Sequence, residues 1–190
     1  PKFEHVVANR QGLLDETGRT DKELEKYKKP PLIVLDAKGW RFKSFSSELS
    51  GEFQKNLTAT IVPEIIGRCK ANGLDLVEVV GHTDEQAMPA LRSSLDRELI
   101  PFMRGEVADE DLIATDNVGM AMKRAAAVAS YLMRDQRIQL AGLTIVPLSA
   151  GQLILPSGKV TTGGGRDDFE RRRIDLRLRK LSESTDQEAQ

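Results

Sequence analysis

Residues 74–86 read LDLVEVVGHTDEQ, an apolar run that stops abruptly on glycine, histidine, threonine and aspartate. The segment 74–81 is apolar on both faces apart from Asp75 and Glu78, which predicts a central strand of a sheet. Its polar end decides more than its apolar body. An ordinary turn, a catalytic His82–Asp84 pair, a metal site and a ligand pocket would each place such residues there.

Working outward, LIVLD at 32–36 and LTIVPLSA at 143–150 read as strands, and RRRIDLRLRK at 171–180 alternates as a half-buried strand should. In that last run Ile174, Leu176 and Leu178 share one face. Arg173, Asp175, Arg177 and Arg179 share the other, which predicts the solvated side of an edge or outer strand. The parity of Arg172 sets it with the apolar residues, where a guanidinium needs an anionic partner or a pocket rim.

Two helices separate these strands. Leu49, Phe53, Leu57, Ile61, Ile65 and Cys69 recur every four residues, with Pro63 expected to kink or divide the helix and Gly73 to end it. From Asn117 to about Arg134, the residues Val118, Ala121, Met122, Ala125, Val128, Ala129 and Leu132 form a buried stripe. Asn117 is the expected N-cap, and Arg124, two turns on, falls at the edge of that stripe. Residues 85–116 hold two prolines and many charges and read as irregular. A loop of that length inside a compact domain is usually functional or disordered. Strands alternating with helices predict an α/β or α+β sandwich. Residues 1–30 read as a polar, helix-prone linker ending at Pro30-Pro31, residues 31–181 as one domain, and 182–190 as a disordered tail.

Composition excludes several classes. A formal net charge of −1 gives no overall pull toward nucleic acid or an anionic membrane. No apolar run reaches the roughly 18 residues of a membrane span. The single cysteine, Cys69, rules out an internal disulfide, and with only His5 and His82 a His-rich metal site is not expected. No cofactor motif is present: around PSGKVTTGGG, six residues separate Gly151 from Gly158 and Val160 follows Lys159, so the phosphate-loop spacing fails and a flexible surface loop is expected. A hydrolase built on His82 and Asp84 lacks a nucleophile, because there is no Gly-x-Ser-x-Gly elbow and Cys69 lies on the buried helix stripe.

Taken in order, FKSFSSELS, VEVVGHTD, NVGMAMKRAAAVASYL, LSAGQLILP and RRRIDLRLR resemble the C-terminal OmpA-like peptidoglycan-binding domain of OmpA porins, Pal lipoproteins and MotB-type stator subunits. The resemblance covers roughly residues 32–180. It implies a βαβαββ fold, a mixed sheet with helices packed on one face, and a non-catalytic module. It also implies that Asp84 and Arg124 hold diaminopimelate of the peptidoglycan stem peptide, with Asn117 framing the pocket, Arg172 making a further contact and Thr83 beside them. Such an end carries an ammonium and a carboxylate on one carbon, which an aspartate and an arginine fork can hold together. Two departures stand out: residues 85–116 replace a far shorter connector, and Arg171 stands where the family has asparagine. The polar segment before Pro30 suits a MotB-type stator-like protein. That implies a periplasmic domain on a membrane anchor (the inner membrane, or alternatively the outer), a homodimer and a membrane stator partner. The other readings are a protein-interaction domain working through 85–116, or a cell-wall hydrolase using His82 and Asp84.

Overall fold

A computed structural model describes residues 32–35, 40–88, 92–164 and 167–181. The chain divides after Pro31, and every described residue belongs to the unit Leu32–Gln190. The expected linker at 1–30 and tail at 182–190 lie outside the described residues.

Four strands form one sheet: β1 Leu32–Leu35, β2 Leu76–His82, β3 Thr144–Gly151 and β4 Ile174–Arg179. Their order is β1-β4-β2-β3, with β2 and β3 parallel and the other pairs antiparallel. With the intervening helices the order is βαβαββ, the expected mixed α+β arrangement. As predicted, β2 is interior. β4 is not an edge or outer strand, since it lies between β1 and β2 with Leu176 opposite both Ile33 and Val79. Among the described residues the edges are β1 and β3, and Pro147 sits in β3, where only one neighbour needs backbone hydrogen bonds.

The first helical stretch begins at Ser50, whose hydroxyl accepts from Phe53 N at 3.1 Å. It runs as α1 Gly51–Asn56, a π-helical turn Leu57–Ile61 and α2 Val62–Asn72. Pro63 does divide the helix. It cannot donate to the carbonyl four residues back and its ring crowds that carbonyl, and the wider π turn just upstream relieves both. Gly73 closes α2 in the left-handed conformation, φ 63°.

Residues expected to be irregular contain a helix, α3 Leu95–Arg104, with Pro101 inside it. Phe102 is buried with Leu112, Ala126 and Ala127, while Leu95, Leu99 and Met103 pack against them. That i, i+4, i+7, i+8 spacing is a helix face; the charges between its members hide it. α3 covers a second side of α4 Asn117–Met133, so Met120, Lys123, Ala126 and Ala127 are buried along with Ala121, Ala125, Val128, Ala129 and Leu132 of the expected stripe, whereas Met122 is only partly buried. Val118 is a correction in the other direction: it is 55% exposed, at the start of the helix beside Gly151. After α4, the short α5 Gln136–Leu140 leads into β3.

The main core joins Leu35, Val77, Val79, Ile174, Leu176 and Leu178 of the sheet to Phe53, Leu57, Ile65, Val128 and Leu132 of the helices. Each such side chain contributes about 1.5–3 kcal/mol by leaving water. Cys69 lies in this core as expected. Burial, with a smaller effect from the Asp75 charge, pushes its thiol up to about 11.

One contact sets the position of everything functional. A Cβ built on Gly81 would lie 1.9 Å from Ala121 O, so α4 rests directly on the backbone of β2 there. That approach brings the first turns of α4 to the polar end of β2.

Candidate functional site

Beyond β2, Thr83 N donates to Gly151 O at 2.9 Å and Thr83 Oγ1 donates to Asn117 O at 3.4 Å. Thr83 is thereby tied to β3 and to the start of α4. Asn117 is not the N-cap. Asp116 is, accepting from Gly119 N at 2.7 Å, while Asn117 Nδ2 reaches back to Gln86 O at 3.0 Å. The Asn117 side chain therefore pins the chain just after Asp84 instead of capping its own helix.

Arg124 departs furthest from expectation. It is 1% exposed, not poised at a stripe edge. Its Nε donates to Ser46 O at 2.9 Å, its Nη2 to Lys43 O at 3.0 Å and its Nη1 to His82 O at 3.3 Å. The Phe42 ring lies 5.2 Å from its guanidinium carbon. Lys43 and Ser46 face it from one tight turn, closed by Ser46 N on Lys43 O at 3.2 Å, in which Phe45 takes φ 56°. Burial pulls the Arg124 pKa down to about 10; Asp84 counters this, and the Arg172 charge adds to it.

Asp84, 4% exposed, and Arg172, 5% exposed, form an ion pair through Oδ2 and Nη1. Arg172 Nε donates to Phe42 O at 3.1 Å, and the Phe169 ring lies 5.3 Å from its guanidinium carbon. The same Nη1 also pairs with Asp167, and Asp168 N donates to Asp84 Oδ2 at 3.3 Å. Burial works against the Arg172 charge, yet the hydrogen bonds to Asp167 and Asp84 outweigh it and hold its pKa above the ordinary value. Alongside, Arg171 Nη1 lies 3.0 Å from Glu85 Oε1, so consecutive acids at 84–85 meet consecutive arginines at 171–172.

Asp84, Arg124 and Arg172 thus come together from positions far apart in the chain, with Thr83 and Asn117 bracing the segment that carries Asp84. The sequence reading missed Asp167, Asp168, Glu85 and the backbone of 42–46. Two carboxylates beside a run of three arginines were the only available sign of the first pair. The carbonyls of a turn leave none.

His82 has a different partner from the one a hydrolase would need. It is fully buried, and Nε2 lies 2.9 Å from Asp175 Oδ2, off the line of a well-formed hydrogen bond. Burial raises the Asp175 carboxyl, but the approach of His82 and Arg173 outweighs that and holds it below the usual carboxylate range. Arg173 Nε donates to Asp175 Oδ1 at 3.2 Å and its Nη groups reach Ile154 O and Leu155 O at 3.3 and 3.4 Å. Arg173 and Asp175, expected to be solvated, are therefore 4% and 7% exposed, covered by the segment that holds the Ile154–Val160 bridge. Among the described residues, no group of three His, Cys, Asp or Glu side chains could hold a metal ion, and no helix is long and apolar enough to cross a membrane.

No family model matches the chain, and no curated protein matches its sequence. Solved structures do. The periplasmic domain of Helicobacter pylori MotB, residues 97–256, matches at 10% identity over 80% of this chain and 84% of that one, with a TM-score of 0.46. A longer form of the same domain, residues 90–256, matches at 12% identity over 80% and 75%, with a TM-score of 0.44. A putative MotB-like protein from Desulfovibrio vulgaris matches at 14% identity over 81% and 75%, with a TM-score of 0.42. The chain is similar, at low identity, to periplasmic domains of MotB.

Proposed function

We propose that this chain is a non-catalytic module that binds peptidoglycan by the diaminopimelate end of the stem peptide. The observation that carries this reading is the ion pair of the Asp84 carboxylate with Arg172, with the Arg124 guanidinium held beside it on the His82 carbonyl and within reach of the Asp84 charge. A buried carboxylate beside two cations suits a zwitterion: Asp84 takes the ligand ammonium while the arginines take its carboxylate. Three of the five Arg124 donors are held by carbonyls, which fixes the plane of the fork before a ligand arrives. In the wider protein the module anchors a MotB-type stator-like subunit to the wall from the periplasmic side of the inner membrane, as a homodimer with a membrane stator partner.

A sacculus pull-down tests the reading. Asp84→Asn keeps the size of the side chain and removes its charge, so retention should fall at least tenfold while the circular dichroism spectrum stays that of the parent. Retention equal to the parent's would sink the assignment. Incubated sacculi should release no muropeptides, which separates this reading from a hydrolase.

A second reading, an interaction domain working through 85–116, is favoured by Ile100 at 56% and Ile113 at 43% exposure, both apolar and both in that segment. Ile100→Arg should then abolish partner capture and leave sacculus retention intact.

A further inference from the structure

Asp84 and Arg172, two of the three charged groups offered above for a ligand, already face partners. Arg172 Nη1 holds the Asp167 carboxylate, and Asp84 Oδ2 accepts the Asp168 backbone N–H at 3.3 Å. A carboxylate on the arginine and an N–H donor on the aspartate, supplied by adjacent residues, reproduce the two ends of an amino-acid zwitterion. The two sets of partners are not equally committed. Arg172 and Asp84 side chains are each 6% exposed, whereas the Asp167 side chain is 59% exposed. Asp167 thus meets a buried cation while remaining mostly in water. Asp168 is held in place by its own carboxylate, which accepts from Glu170 N at 3.0 Å and starts the short 3-10 turn Phe169–Arg171 that leads into Arg172.

We infer that Asp167 and the Asp168 amide are an internal competitor, seated where the ligand carboxylate and ammonium go, and that the free module is therefore held in a state of reduced affinity. The inference rests on the diaminopimelate reading of the same site. A ligand gains access by replacing two contacts with two of the same kind, so the core need not open and Arg124 stays on its three carbonyls. Only the Asp167 member of the competing ion pair stands largely in water, and solvent there screens the pair and weakens it. Removing the Asp167 charge should therefore tighten binding by roughly two- to fivefold, by raising the fraction of molecules able to bind.

Two measurements on the intact chain test this. Hydrogen exchange on the free protein should show the Asp168 amide protected in the parent, with protection lost on adding meso-diaminopimelate. An unprotected Asp168 amide in the parent overturns the inference without any ligand. Calorimetric titration with meso-diaminopimelate should show Asp167→Asn binding two- to fivefold tighter than the parent. Unchanged or weaker binding in Asp167→Asn, with the parent binding normally, overturns the competitor and leaves the peptidoglycan reading standing. Absence of binding in both proteins overturns that reading and the competitor with it. Asp168→Ala, which keeps the amide but loses the turn that presents it, should lie between the parent and Asp167→Asn.

Discussion

Two ionic clusters sit a few residues apart at the end of β2 and are built on opposite plans. In one, His82, Asp175 and Arg173 are all within 7% of full burial, and two of the partners of Arg173 are backbone carbonyls. In the other, Asp84 and Arg172 are as deeply buried, but one partner is a carboxylate standing largely in water. Buried ion pairs lose much of their gain to desolvation, and they survive when every remaining donor is met. In the first cluster the sheet and a covering segment meet the donors of Arg173, while the ring nitrogens of His82 make no well-formed hydrogen bond; its partners are fixed parts of the fold. In the second, one partner of Arg172 is a carboxylate that stands largely in water, the feature on which the proposed binding reading rests.

That contrast can be broken at its foundation first. Gly81→Ala would force a methyl into Ala121 O and push α4 away from β2. We expect a loss of about 3 kcal/mol in chemical denaturation and a loss of sacculus binding, since Arg124 moves with the helix. If both clusters are unaffected, the close approach at Gly81 does not position them.

A smaller and more selective break targets the first cluster alone. Asp175→Asn should lower stability by about 1–3 kcal/mol at neutral pH, because Arg173 loses its carboxylate while buried, and should leave sacculus retention unchanged. The Asp175 pKa is depressed in the folded protein, so its contribution is fully present above the unfolded value near 4 and is lost as pH falls below it. An acid titration of stability should therefore lose part of its slope below pH about 4 in the variant. An identical slope would mean that the carboxylate is not held by its neighbours.

The smallest effect tests how the second cluster is held. Phe45 sits half-exposed at φ 56°, a conformation that glycine adopts without strain. Phe45→Gly should raise stability by about 0.5 kcal/mol, with the turn carbonyls still on Arg124. A loss of stability would show that the Phe45 side chain, not the turn, supports the site.

The frame of the molecule was legible because apolar periodicity carries it. The apolar face of Ile174, Leu176 and Leu178, the four-residue stripe from Leu49 to Cys69 and the turn at Gly73 reappear as read, whereas Asp175, read as solvated, is buried. The placement of β4 was not legible, because an exposed Arg177 and Arg179 look the same on an edge strand and on the open face of an interior one. α3 was hidden by the charges between its apolar residues. Asp84, Arg124 and Arg172 were singled out by type and order and lie at one end of the sheet, whereas the depth of Arg124 was not legible. A guanidinium satisfied by three backbone carbonyls leaves no complementary residue to find in the sequence. The acids at 167–168 escaped for a related reason: their neighbours are glycines, which read as a flexible surface loop.

Cys69 has a practical consequence for any of these measurements. It is the only cysteine of the chain, it is 2% exposed, and its thiol is pushed up to about 11. Alkylating probes require the thiolate, which the raised pKa disfavours at pH 7, and core packing shields the sulfur as well. The native thiol is silent to maleimide dyes, so a single cysteine introduced near position 167 would report fluorescence from that place alone, with no need to remove the one the core already uses.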